Sequence, residues 1–282
     1  MTNGLKGIAV QAPRSILLHL DSSPRTEARI RLARVLAETF DAEVTGVPCA
    51  LTALMRYPFA LEASPDAICI MKELDKQCRD KALALFADAG GGSPRMHCEA
   101  PPDDGPWAFA RRALYTDLLV LGQRNEEDPD AADLPPDFIS SVLVECGKPA
   151  LIVPYAGAVE PLGSTVLIAW KETRESARAV TAALPWLSRA RAVHAVGYGA
   201  AAEPSLRSLQ AYLRTQGIQA SVRSGGADDS DIGERLLSLA ADVGAELLVM
   251  GCYGHSRARE WVVGGATRSI LESMTLPVLM AH

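Results

Sequence analysis

The chain repeats itself, and the repeat limits its architecture more than any other feature. Asp117-Leu-Leu-Val-Leu-Gly122 resembles Glu246-Leu-Leu-Val-Met-Gly251. Ser141 through Val153 aligns with Ser269 through Ala281, placing Pro149 on Pro277. Ser15-Ile-Leu-Leu-His-Leu-Asp21 aligns with Thr165-Val-Leu-Ile-Ala-Trp-Lys171. Each half therefore opens and closes on an apolar strand. A length of 282 residues has room for two ordinary domains. The stretch Tyr155-Ala-Gly-Ala-Val-Glu-Pro-Leu-Gly163, rich in small residues and proline, suits a linker. The expected domains are residues 1–155 and 163–282.

Strands alternate with helical patterns in both halves. In the first, strands are expected at Ile16–Leu20, Ala42–Val47, Met96–Ala100, Leu118–Leu121 and Ala150–Val153. Between them Ala28, Leu32, Val35 and Leu36 share one helix face, and Leu74, Cys78, Ala82 and Leu85 another. Gly90-Gly91-Gly92 stops the second of these helices, and Trp107–Tyr115 forms a third. The second half has strands at Val166–Ala169, Ala192–Val196, Ala220–Arg223 and Leu247–Met250. Helix faces are marked by Ala177, Val180, Leu184 and Leu187, by Leu206–Leu213, and by Ile232, Leu236, Leu239 and Val243. Pro185 is expected to kink or shorten its helix. Apolar strands alternating with helices imply parallel sheets covered on both faces. The expected fold class is α/β, with two tandem doubly wound five-stranded parallel sheets and right-handed crossovers. Ligands in such sheets sit beyond the carboxyl ends of the strands, where Asp21, Lys171 and Gly251 fall.

The second half ends its fourth strand in glycines. The order is Gly251-Cys-Tyr-Gly254, nine residues, then Gly264-Gly265 and a helical pattern through Ile270 and Leu271. Glycines let backbone N–H groups approach an anion with no Cβ in the way. A helix start adds unpaired N–H groups and partial positive charge. Phosphate is the natural guest of such a loop. The plainer alternative is a glycine turn joining strand to helix. After Gly122 the first half instead reads Gln-Arg-Asn-Glu-Glu-Asp-Pro-Asp, an acidic loop that repels phosphate. No nucleotide phosphate is expected there.

Composition removes several classes of function. A net charge of −6 gives no general attraction to nucleic acid. No apolar run approaches the roughly 20 residues of a membrane helix. The first residues do not read as a signal peptide, and a cytoplasmic protein is expected. Cys49, Cys69, Cys78, Cys98, Cys146 and Cys252 form no Cys-x-x-Cys pair, and mostly buried thiols are expected, with Cys252 exposed in the glycine loop. His19 and His194 lie in apolar strands and read as core residues with a backbone partner. Gly254-His-Ser256-Arg-Ala258 has the outline of a nucleophile elbow, but Gly251-Cys-Tyr separates it from the strand. Gly197-Tyr-Gly199 reads as a strand–helix turn, and Trp261-Val-Val263 as a packing anchor, a lid or a partner contact.

Gly251-x-x-Gly254-x9-Gly264, the following helix and Pro277-Val-Leu-Met resemble the motif of the universal stress protein family. The resemblance covers nearly the whole chain as two copies. It implies the adenine nucleotide alpha hydrolase-like fold and, in many members, bound ATP. It places Ala169, Trp170 and Lys171 on the adenine side, with backbone near Val196. Met250, Gly251, Tyr253, Gly254 and Gly264 then shape the ribose and phosphate loop. Gly265, Ala266 and Thr267 meet the phosphates at the helix start. Two residues depart from the pattern: the first strand usually ends in aspartate, here Lys171, and the third glycine usually precedes a hydroxyl, here Gly265. An ammonium donates and cannot accept, so Lys171 is expected either to approach a ligand phosphate or a carboxylate, or to stay solvated.

The leading expectation is a stress-response protein that binds ATP or another adenine nucleotide, with or without Mg²⁺, in its second half. It would act through ligand-dependent conformation or an unidentified protein partner, with at most slow hydrolysis, since no phosphoryl-transfer constellation is present. The resemblance also implies an intramolecular pseudo-dimer and leaves homodimerisation open. The alternatives are an interaction module of the same fold that binds no nucleotide, and a serine hydrolase using Ser256.

Overall fold

The structure, a computed structural model, describes residues 12–53, 65–99, 106–125, 134–157, 159, 162–226, 230–253 and 265–282. Its contacts divide the chain into two compact units. One comprises Pro13–Val159 with Leu271–Thr275; the other is built on Glu160–Ile270 and Leu276–His282.

The first unit runs β1 (Ser15–Leu20), α1 (Thr26–Phe40), β2 (Glu43–Pro48), α2 (Pro65–Ala89), β3 (Met96–Cys98), α3 (Pro106–Ala113), β4 (Leu118–Gly122), α4 (Phe138–Cys146) and β5 (Ala150–Val153). All strand pairs are parallel, in the order β3-β2-β1-β4-β5. Helix α1 packs with α2, and α3 with α4. Right-handed crossovers put these pairs on opposite faces. Ile16, Leu18, Leu119, Val120 and Leu151 are fully enclosed as a result, which is why β1, β4 and β5 are continuously apolar.

The second unit repeats the sequence of elements. It has β6 (Thr165–Ala169), α5 (Arg174–Leu187), β7 (Ala192–Gly197), α6 (Ala202–Thr215), β8 (Ser221–Ser224), α7 (Ile232–Asp242), β9 (Leu247–Gly251), α8 (Gly265–Ser273) and β10 (Val278–Ala281). The strands are again parallel, ordered β10-β9-β6-β7-β8. The acid preceding the fourth strand ties down the chain entering the first strand in both units. Asp117 accepts from the Arg14 and Ser15 amides at 2.9 and 3.0 Å, and Glu246 from the Ser164 amide at 2.6 Å. These matching bonds are the structural form of the sequence repeat.

Several helix faces differ from expectation. Ala28 and Val35 are only half-buried, and α1 turns Arg29, Ile30, Leu32, Ala33, Leu36, Ala37 and Phe40 inward. In α2 nothing before Ala82 is buried; Ala82, Phe86 and Ala89 face the core, and Leu74 is 49% exposed. Only the end of that long helix lies on the sheet. Ala177 is exposed on α5, whereas Val180, Leu184 and Leu187 are buried. Pro185 does not end α5, which continues to Leu187. It sits in the last turn, where a missing N–H costs one bond.

Candidate functional site

In the second unit the chain leaves β6 toward β7 and later returns to β9 on the other side. The crevice outside the carboxyl ends of β6 and β9 is thus the topological switch point. Ala169 closes β6 opposite Val196 and Met250. The Trp170 amide extends the ladder by donating to the Val196 carbonyl at 2.8 Å. Val196 and Met250 are buried, Trp170 is half-buried and Lys171 is exposed. The Trp170 indole Nε1 donates to Ser205 Oγ of α6 at 2.7 Å.

Gly251 is required by its neighbours. A Cβ there would lie 2.4 Å from the Ser176 amide nitrogen and 2.7 Å from the Glu175 carbonyl carbon. Both are backbone atoms of the first turn of α5, so only glycine admits that turn beside the end of β9. Thr173 is the N-cap, and its hydroxyl accepts from the Ser176 amide at 3.3 Å. The positive end of a helix dipole therefore abuts the strand end. Glu175 lies in the same turn and is buried. Burial alone would raise its carboxyl; hydrogen bonds from Arg174, its own amide and Thr173 outweigh that and hold it below its ordinary value. Arg174 Nε is 2.5 Å away and largely neutralises this acid. Thr173, Glu175 and Ser176 are not part of the motif, although a threonine just before a helical pattern is an N-cap signal.

The structure brings Ala169, Trp170, Lys171, Val196, Met250 and Gly251 together at adjacent strand ends. Tyr253 follows in a left-handed conformation, φ 56°, with its ring 6.5 Å from that of His282 beyond β10. Gly265 is exposed at the start of α8, Ala266 half-buried and Thr267 buried. Gly254 and Gly264 lie outside the described residues, as do His255, Ser256, Trp261–Val263 and most of the acidic loop after Asn125.

The first unit treats its strand end differently. Asp21 accepts from the Ser23 amide at 3.0 Å, the Ser23 hydroxyl at 2.5 Å and the Thr26 hydroxyl, and pairs with Arg29 at 2.8 Å. Arg29 is 2% exposed, and its Nε donates to the His19 carbonyl at 3.2 Å. Its guanidinium occupies the place that a Cβ on Gly122 would need, 1.8 Å from Nη1. Burial by itself would raise the Asp21 carboxyl. The Arg29 guanidinium, then His19 and the two hydroxyls, overcome it and hold Asp21 well below the usual carboxylate range. His19 is fully buried, and desolvation pushes it down to about 4. Its Nε2 shares a hydrogen bond of 2.8 Å with the Cys49 carbonyl, so Nε2 is the protonated nitrogen. Nδ1 has no hydrogen-bond partner and faces Asp21 Oδ2 at 3.6 Å. The strand end is thus filled by the chain's own cation. A small cleft remains at the carboxyl ends of β1 and β2 beside α2, lined by Leu20, Asp21, Pro48, Cys49, Asp75 and Ala82 among others.

Two expectations about isolated residues need correction. Cys252 is buried, its amide donating to the Ala281 carbonyl at 2.9 Å, because the chain keeps strand-like pairing one residue past β9. Cys69 and Cys98 are exposed instead, leaving only Cys49, Cys146 and Cys252 buried. His19 is a core histidine with a backbone partner, but His194 is half-buried near the edge strand β8, and its Nδ1 meets the Ser221 hydroxyl at 2.8 Å. Gly197-Tyr-Gly199 is a turn: the Gly199 amide donates to the Gly226 carbonyl at 2.9 Å, and α6 begins at Ala202.

Two parallel five-stranded units with helices packed on their sheets define a doubly wound α/β fold. No family model matches the sequence, and no curated protein matches it. Solved structures do match. A universal stress protein from Archaeoglobus fulgidus superposes with a TM-score of 0.68 at 16% identity, over 96% of this chain and 97% of that one. A functionally unknown protein from Pseudomonas aeruginosa superposes with a TM-score of 0.60 at 17% identity, over 96% and 93%. The chain has the fold of the tandem universal stress proteins.

Proposed function

We propose that the second unit binds an adenine nucleotide, ATP with or without Mg²⁺, at the carboxyl ends of β6 and β9. The protein then acts by ligand-dependent conformation or by binding a protein partner. Gly251 carries the reading. Its missing Cβ lets the amide-rich start of α5 close on the strand end, and it is the first glycine of the Gly251-x-x-Gly254-x9-Gly264 pattern. Phosphate is the ligand such amides favour. Ala169, Trp170, Lys171 and Val196 serve the base; Tyr253, Gly254, Gly264, Gly265, Ala266 and Thr267 serve the ribose and phosphates. Among the described residues no helix is long and apolar enough to cross a membrane.

Calorimetric titration with ATP, ADP and AMP tests the reading. Saturable binding that disappears in Gly254→Val is expected. Silence at millimolar concentrations of all three overturns it. That result would favour an interaction module without nucleotide, the alternative that exposed Lys171, in place of an acidic acceptor, keeps open.

A further inference from the structure

We infer that the outer part of α2, residues 65–81, is a docking surface for a second copy of this chain, and that two copies pair through antiparallel α2 helices. This stands apart from the nucleotide reading.

The end of α2 is anchored. Ala82, Phe86 and Ala89 are buried, and the Phe86 ring lies against β2, 2.6 Å from where a Cβ on Gly46 would stand. Over residues 65–81 nothing is buried. One side of that stretch still turns toward the first unit. Asp75, Cys78 and Arg79 line the cleft beside β1 and β2, and Asp75 accepts from the Ala53 amide at 2.8 Å. The opposite side carries Asp66, Ile70, Leu74, Gln77 and Lys81. Steps of four, four, three and four residues set these on one helix stripe, and all of them are exposed. Ile70 is 62% exposed and Leu74 49%.

Other large exposed apolar side chains are scattered over the surface: Val144 on α4, Tyr155 after β5, Tyr212 on α6, and Leu114 with Tyr115 in the turn after α3. Such residues are ordinary on a monomer. The α2 stripe differs because its end charges say what covers it. Asp66 and Lys81 are equally far from a point between Glu73 and Leu74. A two-fold axis at that point sets Asp66 of each copy opposite Lys81 of the other, so the stripe is complementary to itself. Parallel helices would instead set acid on acid and lysine on lysine. Among the described residues neither Asp66 nor Lys81 has an ion-pair partner in its own chain.

The same register joins the apolar residues. The two Leu74 side chains meet at the axis, and each Ile70 lies about 4.5 Å along the helix from Leu74 of the second copy. Four apolar side chains form one seam, closed at each end by an ion pair. Glu73, which accepts from Gln77 Nε2 at 3.3 Å, stays at the rim, where Lys76 of the second copy comes alongside. A seam of one helix per copy belongs to the small, reversible class of interfaces, so the dimer forms as concentration rises.

The test is sedimentation equilibrium of the full chain over a wide concentration range, for wild type, Leu74→Arg, Asp66→Lys and Lys81→Asp. The substituted side chains are exposed, so each variant should fold, and thermal melts check this. Wild type is expected to pass reversibly from monomer to dimer. Leu74→Arg strikes the centre of the seam and should weaken association by about tenfold or more. Asp66→Lys and Lys81→Asp each place like charges at both ends and should weaken it several-fold. Mixed one to one, those two variants should recover association, because both ends of the mixed pair then join opposite charges. Wild type that stays monomeric throughout overturns the proposal. A dimer that survives Leu74→Arg overturns it as well, since association would then run through another face. A mixture that associates no better than either charge variant alone overturns the antiparallel pairing.

Discussion

The first unit ends its opening strand in Asp21, the second in Lys171, and the surroundings of the two strand ends diverge from that exchange. Carrying the repeat register into the next helix sets Ser23 on Thr173, Thr26 on Ser176 and Arg29 on Ala179. The glycines closing the fourth strands, Gly122 and Gly251, also correspond. Each is glycine because something lies where a Cβ would go. In the first unit that is the Arg29 guanidinium; in the second it is the backbone of a helix start. The same glycine thus serves a strand end beside an internal ion pair and one packed against the capped start of a helix. Ala179 is too short to reach Gly251, and Lys171 would not pair with an arginine there.

The largest test of this contrast is Arg29→Ala. It strands Asp21 in a buried site without its partner, and breaking such a pair costs about 3–5 kcal/mol. The urea midpoint should fall accordingly. Asp21→Asn combined with Arg29→Met should recover most of the loss, since removing both charges is close to neutral. A midpoint that barely moves in Arg29→Ala would show that the pair does not hold the strand end.

Acid should act on the first unit by the same residues. Folded His19 titrates at about 4 against about 6.5 unfolded. Between those values the unfolded chain binds the extra proton. Stability is therefore complete above about 6.5 and declines as pH falls toward 4. Asp21 adds a further loss below the ordinary carboxylate range of about 4, because its folded value is depressed. His19→Gln should flatten the dependence between 6.5 and 4 in urea melts at fixed pH steps. The second unit has Ala169 and Lys171 at these positions and should lack the His19 slope, leaving the depressed Glu175 carboxyl as its acid-sensitive group.

At the other strand end, Gly251→Ala forces a methyl group onto main-chain atoms that cannot swing aside. Overpacking of this kind costs about 1–3 kcal/mol. Gly122→Ala meets a side chain instead, so its cost should largely vanish in an Arg29→Ala background. Equal and additive costs at the two glycines would erase the distinction drawn between them.

The sequence disclosed the repeat, the strand order class and Gly251 because each leaves a local trace: an apolar run, a proline, a glycine at fixed spacing. Arg29 left none. Periodicity counts an arginine as polar, so the face of α1 was read through Ala28 and Val35, one step away from the true one. The arginine turns inward only because Asp21 is already there, a fact of tertiary structure. The face of α2 through Leu74 was misread for a related reason, since an apolar stripe does not say how far the sheet beneath it extends. The family resemblance alone puts Trp170 on the adenine side, and its bond to Ser205, 35 residues on, required the fold.

The smallest expected effect lies at the helix starts. Ser23 gives its hydroxyl to Asp21, and α1 has no side-chain cap. Thr173 caps α5 by accepting from the Ser176 amide, and its hydroxyl also serves the neighbouring Glu175 carboxylate. Thr173→Ala should therefore cost about 1 kcal/mol, the usual worth of an N-cap, and Thr173→Ser should restore it. Ser23→Ala removes a bond to an ionised carboxylate and should cost somewhat more, about 1.5–3 kcal/mol. The diagnostic is how each variant responds to pH. The Ser23→Ala penalty fades as Asp21 is protonated, whereas the Thr173→Ala penalty loses only the part tied to Glu175 and keeps the part owed to the Ser176 amide, whose acceptor is a neutral hydroxyl. Parallel acid dependence of the two variants would mean that Thr173 contributes through its bond to the Glu175 carboxylate and not through the cap.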